Sequence, residues 1–386
     1  MKSVFSRWQL AGDHLLAWCA LLMGMAVLAM AGCSSSPDKP APKALSDYQA
    51  QIKVSKSWAV QLGPIASPLS SQSAAGRFAV VTSTGLISVI DPQSGSEIWR
   101  LALDTPVSAG LGGDGQRYAV VSRANELMVV AEGKLLWRQK LPALSFTTPL
   151  VAGGRVFVLT ADRTVMAFDG ASGQKLWSQQ RSGDPLVLKQ AGILTTFQDS
   201  LMVGLSGRMV AMSPSNGVSK WEMTIGASRG TNEVERLVDL VAGVSRVNQV
   251  VCARSYQTAV TCIDAAKGSN LWTRAAQGHV GLGGNDNFVF GAESDGKLFA
   301  WQRANGQVAW QTEAFRFRGL TAPVWSDGEL VIADDLGWLH WIDVQNGQTL
   351  ARFQADGSGI VMPPVRFGKT WVAVSKNGLV QAIRTE

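Results

Sequence analysis

The amino-acid sequence predicts an all-β fold, an eight-bladed β-propeller made of four-stranded antiparallel blades. A motif of about 40 residues that ends in Trp recurs along the chain, which is the length of one propeller blade. No segment has a sustained helical period, and dipeptides that favour tight hairpins separate the short apolar runs. The last repeat lacks a fourth strand, and the N-terminal segment has the pattern of one, which predicts that the repeats close into a ring.

Each repeat contains a strand that ends at a polar residue, a turn with Gly, and a further strand that contains Trp. The tryptophans at this position are Trp58, Trp99, Trp137, Trp177, Trp221, Trp272 and Trp310, and Ala351 takes the place of Trp in a weaker last copy. An indole at the same place in successive sheets most simply fills the wedge between neighbouring blades. We therefore predict that these residues pack the ring and do not form a cofactor site.

The two chain ends supply complementary parts of one blade. The third strand of the last repeat starts at Leu379, and the chain stops at Glu386 before a fourth strand can form. Residues 57–60 precede the first complete repeat and have the pattern of a fourth strand without the other three. One sheet cannot bury both of its faces alone, so repeats must stack in a solenoid or a ring. Only a ring explains both ends, and we expect it to close by their pairing.

The N-terminal region predicts export and lipidation. Lys2 and Arg7 precede an apolar run over residues 15–30 that has the length of a signal-peptide core. The run ends in small residues followed by Cys33, which resembles a bacterial lipobox, with an incidental Cys as the alternative. This resemblance implies a signal peptide over residues 1–32, a covalent lipid on Cys33, and an outer-membrane anchor facing the periplasm, since Ser34 and not Asp follows the Cys.

The remaining chain divides into a tether and the propeller. Residues 34–54 are rich in Ser, Pro, Ala and Lys and have no periodicity. We expect residues 33–54 to form the lipidated Cys with a flexible tether, and residues 55–386 to form the propeller.

Composition and motifs argue against an enzyme. The formal net charge of +6 is mild, and no cluster of Lys and Arg indicates nucleic-acid binding. His279 and His340 lie in different repeats without further metal ligands at suitable spacing, and the glycines match no phosphate-binding loop. The acidic residues that recur at the turns, Asp91, Asp169, Asp264 and Asp343, are expected to stabilise those turns. We predict no catalytic residues, no metal and no cofactor apart from the lipid on Cys33.

Cys252 and Cys262 lie on either side of a predicted hairpin centred near Gln257. In an oxidising compartment a disulfide between them is the favoured interpretation, and two buried thiols are the alternative.

The repeat motif resembles that of quinone-dependent dehydrogenases, but the cofactor-binding groups of those enzymes are missing. The chain is more similar to the BamB family, the propeller lipoproteins of the outer-membrane β-barrel assembly machinery. The lipobox and residues 231–239 and 337–343 show this resemblance most specifically. It implies a non-enzymatic subunit that binds the periplasmic domains of the central barrel-inserting subunit and helps unfolded outer-membrane proteins to reach it.

The resemblance also implies where that partner binds. The matching positions are Leu186, Leu188, Lys189, Arg236, Leu237 and Asp239. Lys189 stands where the family has Arg, and Val241 stands where it has a second Asp, which changes the expected polar contacts. From the repeat alone, both segments join an outer strand to the next inner strand, and such connections share one face of a propeller.

Alternatives remain open at this point. Leu186 and Leu188 could belong to an ordinary inner strand, and Arg236 could form a local ion pair with Asp239. There are two rival functions. The propeller could bind a small ligand or a cell-wall component, or it could be a quinone-dependent dehydrogenase.

Overall fold

The computed structural model describes residues 40–386, except 67–68, 184–185 and 228–236. In this part of the chain the secondary structure is entirely β, and 32 strands form eight four-stranded antiparallel sheets. The predicted eight-bladed propeller is confirmed. The predicted signal peptide and the predicted lipidation site, Cys33, lie outside the described residues.

The strands are numbered in chain order, and each blade is listed from its innermost to its outermost strand. Blades 1 to 4 consist of β2 (Gln72–Ala74), β3 (Arg77–Val81), β4 (Leu86–Ile90) and β5 (Glu97–Ala102); β6 (Val107–Gly113), β7 (Tyr118–Ser122), β8 (Glu126–Ala131) and β9 (Lys134–Lys140); β10 (Leu150–Ala152), β11 (Arg155–Leu159), β12 (Thr164–Asp169) and β13 (Lys175–Gln180); and β14 (Leu194–Phe197), β15 (Ser200–Leu205), β16 (Arg208–Met212) and β17 (Ser219–Thr224). Blades 5 to 8 consist of β18 (Leu240–Val247), β19 (Val250–Ser255), β20 (Ala259–Asp264) and β21 (Ser269–Ala275); β22 (Leu282–Gly284), β23 (Phe288–Ala292), β24 (Leu298–Gln302) and β25 (Val308–Thr312); β26 (Val324–Ser326), β27 (Glu329–Ala333), β28 (Trp338–Ile342) and β29 (Thr349–Gln354); and β30 (Val365–Phe367), β31 (Thr370–Val374), β32 (Leu379–Thr385) and β1 (Val54–Gln61).

Blade 8 joins the two ends of the chain, as predicted. The outer strand β1 pairs antiparallel with β32, from Val54 opposite Thr385 to Gln61 opposite Leu379. The ring is thus closed by hydrogen bonds between the first and the last strand.

Burial follows the position of a strand within its blade. The second and third strands lie between neighbouring sheets, so their apolar side chains are buried on both faces, as in β3 and β31. The fourth strands form the rim, and β17 alternates between half-buried and exposed residues along its length. The sequence accordingly has continuous apolar runs in the middle strands and alternating patterns at the rim.

The repeated tryptophans pack between neighbouring blades, which confirms their packing role. The indole Nε1 of Trp137 in β9 donates a hydrogen bond of 3.1 Å to the carbonyl of Gly170 in the β12–β13 turn of the following blade. The same turn presents Gly173, whose φ is +74°, and a Cβ there would lie 2.6 Å from the indole. The same arrangement joins Trp58 to Gly95 and Trp310 to Gly347.

The exception at Ala351 has a structural cause. Ala351 lies in β29, and the turn on which an indole there would dock would have to join β32 to β1, the two chain ends. The wedge between blades 7 and 8 is filled instead by Trp341 and Trp371, which are fully buried. Both indoles donate to Oε2 of Glu329, at 3.1 and 2.6 Å. Trp is therefore absent from the fourth strand of blade 7, because the third and fourth strands of blade 8 are not joined by a turn.

The recurring aspartates stabilise turns, as predicted. Oδ1 of Asp91 accepts backbone N–H bonds from Gln93 and Ser94, and Asp169 does the same with residues 171 and 172. The backbone N–H of Ser94 is the main cause of a lowered pKa at Asp91. These carboxylates have a local structural role.

The structure differs from the predicted tether over residues 43–53, which we call the brace. The N–H of Lys43 donates to the carbonyl of Arg316, and the N–H of Gln51 donates to the carbonyl of Leu350 in β29. The ring of Tyr48 lies 4.6 Å beneath the guanidinium carbon of Arg352. Leu45 and Ile52 are the brace residues that pack against the apolar clusters of blades 6 to 8. These apolar side chains make the segment pack along the rim of blade 7 and not extend as a free linker.

Strand order defines two faces of the ring. Connections from a fourth strand to the next first strand, and turns between second and third strands, lie on one face, which we call the crossover face. Turns between first and second strands and between third and fourth strands lie on the opposite face.

Candidate partner-binding site

The structure brings together two segments that are distant in sequence. Residues 186–193 connect β13 to β14, and residues 237–239 precede β18, so both lie on the crossover face at neighbouring blades. The backbone N–H of Leu188 donates a hydrogen bond of 2.8 Å to Oδ2 of Asp239. Since β14 begins only at Leu194, the interpretation of the two leucines as an ordinary inner strand is wrong.

This surface exposes an aliphatic side chain, that of Leu186. Leu186 is 39% exposed and Lys189 is exposed, whereas Leu188 and Leu237 are half-buried. Arg236 lies outside the described residues, so its ion pair with Asp239 stays untested. The partner role of this surface is likewise still a prediction.

The sequence reasoning missed Arg163, which lies in the turn between β11 and β12. Its guanidinium is nearly buried, with the residue 7% exposed. Nε donates to Oγ of Ser206 in blade 4 at 2.6 Å, and Nη2 donates to the carbonyl of Leu186 at 3.1 Å. Arg163 on one side and Asp239 on the other thus hold the backbone of the Leu186–Leu188 segment.

An open cavity of about 530 Å³ lies beside this surface, at the inner ends of the crossover connections. Val241 is buried and lines the cavity. Most of the other lining side chains are apolar, and His279 and Gln190 are polar exceptions. Burial, followed by the charge of Arg254, lowers the pKa of His279 below its ordinary value. The side chain of Val241 makes this part of the wall apolar.

Cys252 and Cys262 are joined by a disulfide across directly paired positions of β19 and β20. Both cysteines are fully buried. Nη1 of Arg303 lies 3.4 Å from Sγ of Cys252, and burial lowers the pKa of Arg303 to about 10. This environment fits a structural disulfide and offers no path to a redox partner.

The two histidines of the described chain do not form a metal site. Nε2 of His340 lies 3.0 Å from Oδ2 of Asp334, which also accepts a hydrogen bond from Arg318. Burial lowers the pKa of His340, although Asp334 acts in the opposite direction. Within residues 40–386, outside the three gaps, no group of three metal-ligating side chains was found. The same part of the chain has no helix of the length and apolarity that a membrane span requires.

Comparison with known proteins identifies the family. The family model described as Outer membrane protein assembly factor BamB matches residues 83–312, more than half of the chain. The chain belongs to this family. Because BamB proteins are assembly factors, this membership confirms that the chain is not an enzyme.

Relatives of the same name match nearly the whole chain. The Outer membrane protein assembly factor BamB of Bordetella pertussis is 28% identical over 375 residues, which cover 95% of this chain and 97% of the relative. The BamB of Burkholderia pseudomallei is 29% identical over 364 residues, which cover 93% and 96% of the two chains. The similarity thus extends well beyond the repeat motif.

Solved structures share the fold. The crystal structure of BamB from Moraxella catarrhalis superposes with a TM-score of 0.77 at 21% identity, covering 86% of this chain and all of that one. A quinohemoprotein alcohol dehydrogenase from Comamonas testosteroni superposes with a TM-score of 0.65 at 13% identity, covering 86% and 76%. At these identities the likeness concerns the eight-bladed architecture alone.

Proposed function

We propose that this protein is a lipid-anchored scaffold of the outer-membrane protein assembly machinery. It faces the periplasm and binds the periplasmic domains of the central barrel-inserting subunit. Membership in the BamB family supports the assembly role. The crossover face at blades 3 to 5 is the surface that we assign to this partner.

The main support for this surface is the hydrogen bond between the Leu188 N–H and Asp239. It joins the two segments that resemble the partner-binding stretches of the family into one continuous patch. Leu186 supplies an exposed aliphatic side chain, and Lys189 supplies a charge beside it. An apolar centre within a polar rim is the usual composition of a specific protein interface.

The anchor belongs to the same proposal. Residues 1–32 act as the signal peptide, and Cys33 becomes the lipidated first residue of the mature protein. The Cys33→Ala variant should stay uncleaved or soluble and lack the lipid. Mass spectrometry of the membrane-extracted protein tests this, and an unmodified Cys33 would show that the anchor is absent.

The partner surface is tested by co-purification from gently solubilised membranes. Leu188→Glu combined with Asp239→Lys, and separately Leu186→Glu, should abolish recovery of the barrel-inserting subunit. Truncation of a central interface residue commonly costs more than about 1 kcal/mol, and a buried carboxylate costs more. Because Leu186 is exposed, its variant should keep the wild-type melting temperature.

Val218→Glu is the matched control. Val218 is an exposed aliphatic residue, but it lies in the β16–β17 turn on the opposite face. Gln345→Glu, in the β28–β29 turn, gives a second control on that face. Both controls should retain the partner. Full recovery of the partner by folded Leu186→Glu would exclude this surface.

A further inference from the structure

Six blades use the same turn between their second and third strands. In each, a backbone N–H donates to the carbonyl three residues earlier, and the donor residue has a positive φ of +60° to +96°. The six donor residues are Gly85, Asn125, Arg163, Gly296, Gly337 and Gly378. Four are Gly, and Asn is the residue that next most readily adopts this conformation. Arg163 is thus the exception in a set of equivalent positions.

An arginine with a φ of +62° has a backbone cost that Gly would avoid. Residues in such conformations persist where the surrounding structure requires their side chain, and they are frequent at functional sites. The chain therefore has a long side chain at a turn where the five equivalent positions are Gly or Asn. The contacts of that side chain are the reason to look for a role.

The guanidinium of Arg163 links three parts of the crossover face. The arginine belongs to blade 3, Ser206 belongs to blade 4, and Leu186 belongs to the connection between these blades. Gly183 permits this arrangement, because a Cβ there would lie 2.7 Å from Nε of Arg163. The hydrogen bond to the Leu186 carbonyl orients the backbone from which the exposed Leu186 side chain projects.

We propose that Arg163 is the positioning residue of the partner surface. In this role Arg163 does not touch the barrel-inserting subunit. It holds the Leu186–Lys189 segment in the binding conformation from one side, and Asp239 holds it from the other. This inference rests on the proposed function, because it assumes that Leu186 contacts the partner. A segment that is held before binding loses less conformational freedom when the complex forms.

Arg163→Gly is the decisive variant, since it restores the residue that the equivalent turns use. Relief of the backbone strain should offset part of the loss of the hydrogen bonds to Ser206 and Leu186, so the variant should stay folded and its effect on the segment can be measured directly. Amide hydrogen exchange at residues 186–190 should become faster. The Kd for the purified periplasmic domains of the barrel-inserting subunit should rise about tenfold, as expected for the loss of a charged hydrogen bond.

Asn125→Gly is the matched control, because Asn125 has the same turn in blade 2 and a φ of +60°. It should leave both the exchange at residues 186–190 and the Kd unchanged. Unchanged exchange in Arg163→Gly would overturn the inference regardless of binding. Leu186→Ser, measured in parallel, identifies a failure of the proposed function: if exchange is faster in Arg163→Gly but neither variant changes the Kd, the surface itself is wrong, and Arg163 has no role in binding. A higher Kd in Leu186→Ser alone would overturn the role of Arg163 and leave the surface intact.

Discussion

The carboxylate of Asp239 accepts a hydrogen bond from the backbone N–H of Leu188, 51 residues earlier in the chain, at 2.8 Å. This hydrogen bond joins two connections from neighbouring blades into one continuous surface. Asp239 therefore shapes this surface by holding the backbone at Leu188, in addition to presenting its own charge.

Asp239→Ala should accordingly weaken partner binding without a large loss of fold stability. The variant leaves the Leu188 N–H without its carboxylate acceptor, and the half-buried position makes water an incomplete substitute. We expect faster amide exchange at Leu188 and a Kd raised by about three- to tenfold. Wild-type exchange at this amide would contradict the role of the hydrogen bond.

The interlock between blades predicts different effects for two glycines with nearly the same backbone. Gly173 and Gly154 have φ values of +74° and +73°, so Ala is strained equally at both. A Cβ at Gly173 would lie 2.6 Å from Trp137, whereas a Cβ at Gly154 has no atom within 4 Å. Thermal unfolding should show Gly173→Ala as less stable than Gly154→Ala by about 1–3 kcal/mol. Equal losses would mean that the indole adapts freely.

Ring closure predicts a graded response to internal deletions. Removal of residues 34–41 should leave the melting temperature unchanged, because it spares both the brace and β1. Removal of residues 34–53 should lower it through loss of the brace contacts with Arg316 and Arg352. Removal of residues 34–62 should abolish cooperative unfolding, since β32 then lacks its outer partner. Equal melting temperatures for all three deletions would refute closure by the chain ends.

The buried pair of His340 and Asp334 predicts lower stability at acid pH. The pKa of His340 is below its ordinary value of 6.5 in the folded chain, mainly because of burial. The unfolded chain therefore takes up a proton first, and the free energy of unfolding should decrease as the pH falls below about 6.5. Nδ1 of His340 has no hydrogen-bond partner among the described residues, so a protonated ring would bury a second N–H donor without an acceptor there.

Denaturant unfolding between pH 7 and pH 5 measures this effect. His340→Gln should flatten the pH dependence, while His279→Gln, at a less buried histidine, should flatten it less. A wild-type slope in His340→Gln would show that the acid sensitivity has another origin.

Periodic features were predictable from the sequence, and contacts between distant segments were not. Trp177 and its equivalents recur at blade spacing, and the third strand beginning at Leu379 has no following fourth strand, so blade number and closure could be inferred. Arg163 gave no such signal, because its partners Ser206 and Leu186 become neighbours only when blades 3 and 4 stack. Its one visible trace was a charged residue at a turn position where the other repeats have Gly or Asn.

The brace was mistaken for a tether for a related reason. The brace directly follows a Pro- and Ser-rich stretch and has no periodicity, both of which are typical of linkers, and its few apolar residues are too widely spaced to form a strand pattern. The role of Tyr48 is visible only in the folded chain, where the guanidinium of Arg352 in blade 7 stacks on its ring. Packing of irregular segments depends on the surface that the repeats create.

The pairing of β1 with β32 also constrains the order of events during synthesis. β1 is the first strand of the chain, and its partner strand lies more than three hundred residues later. Blades 1 to 7 are each continuous in sequence and need no strand from the far end of the chain, but blade 8 can form only once β32 is available to pair with β1. A chain without its last ten residues would therefore lack the whole of β32, and its ring would stay an open arc.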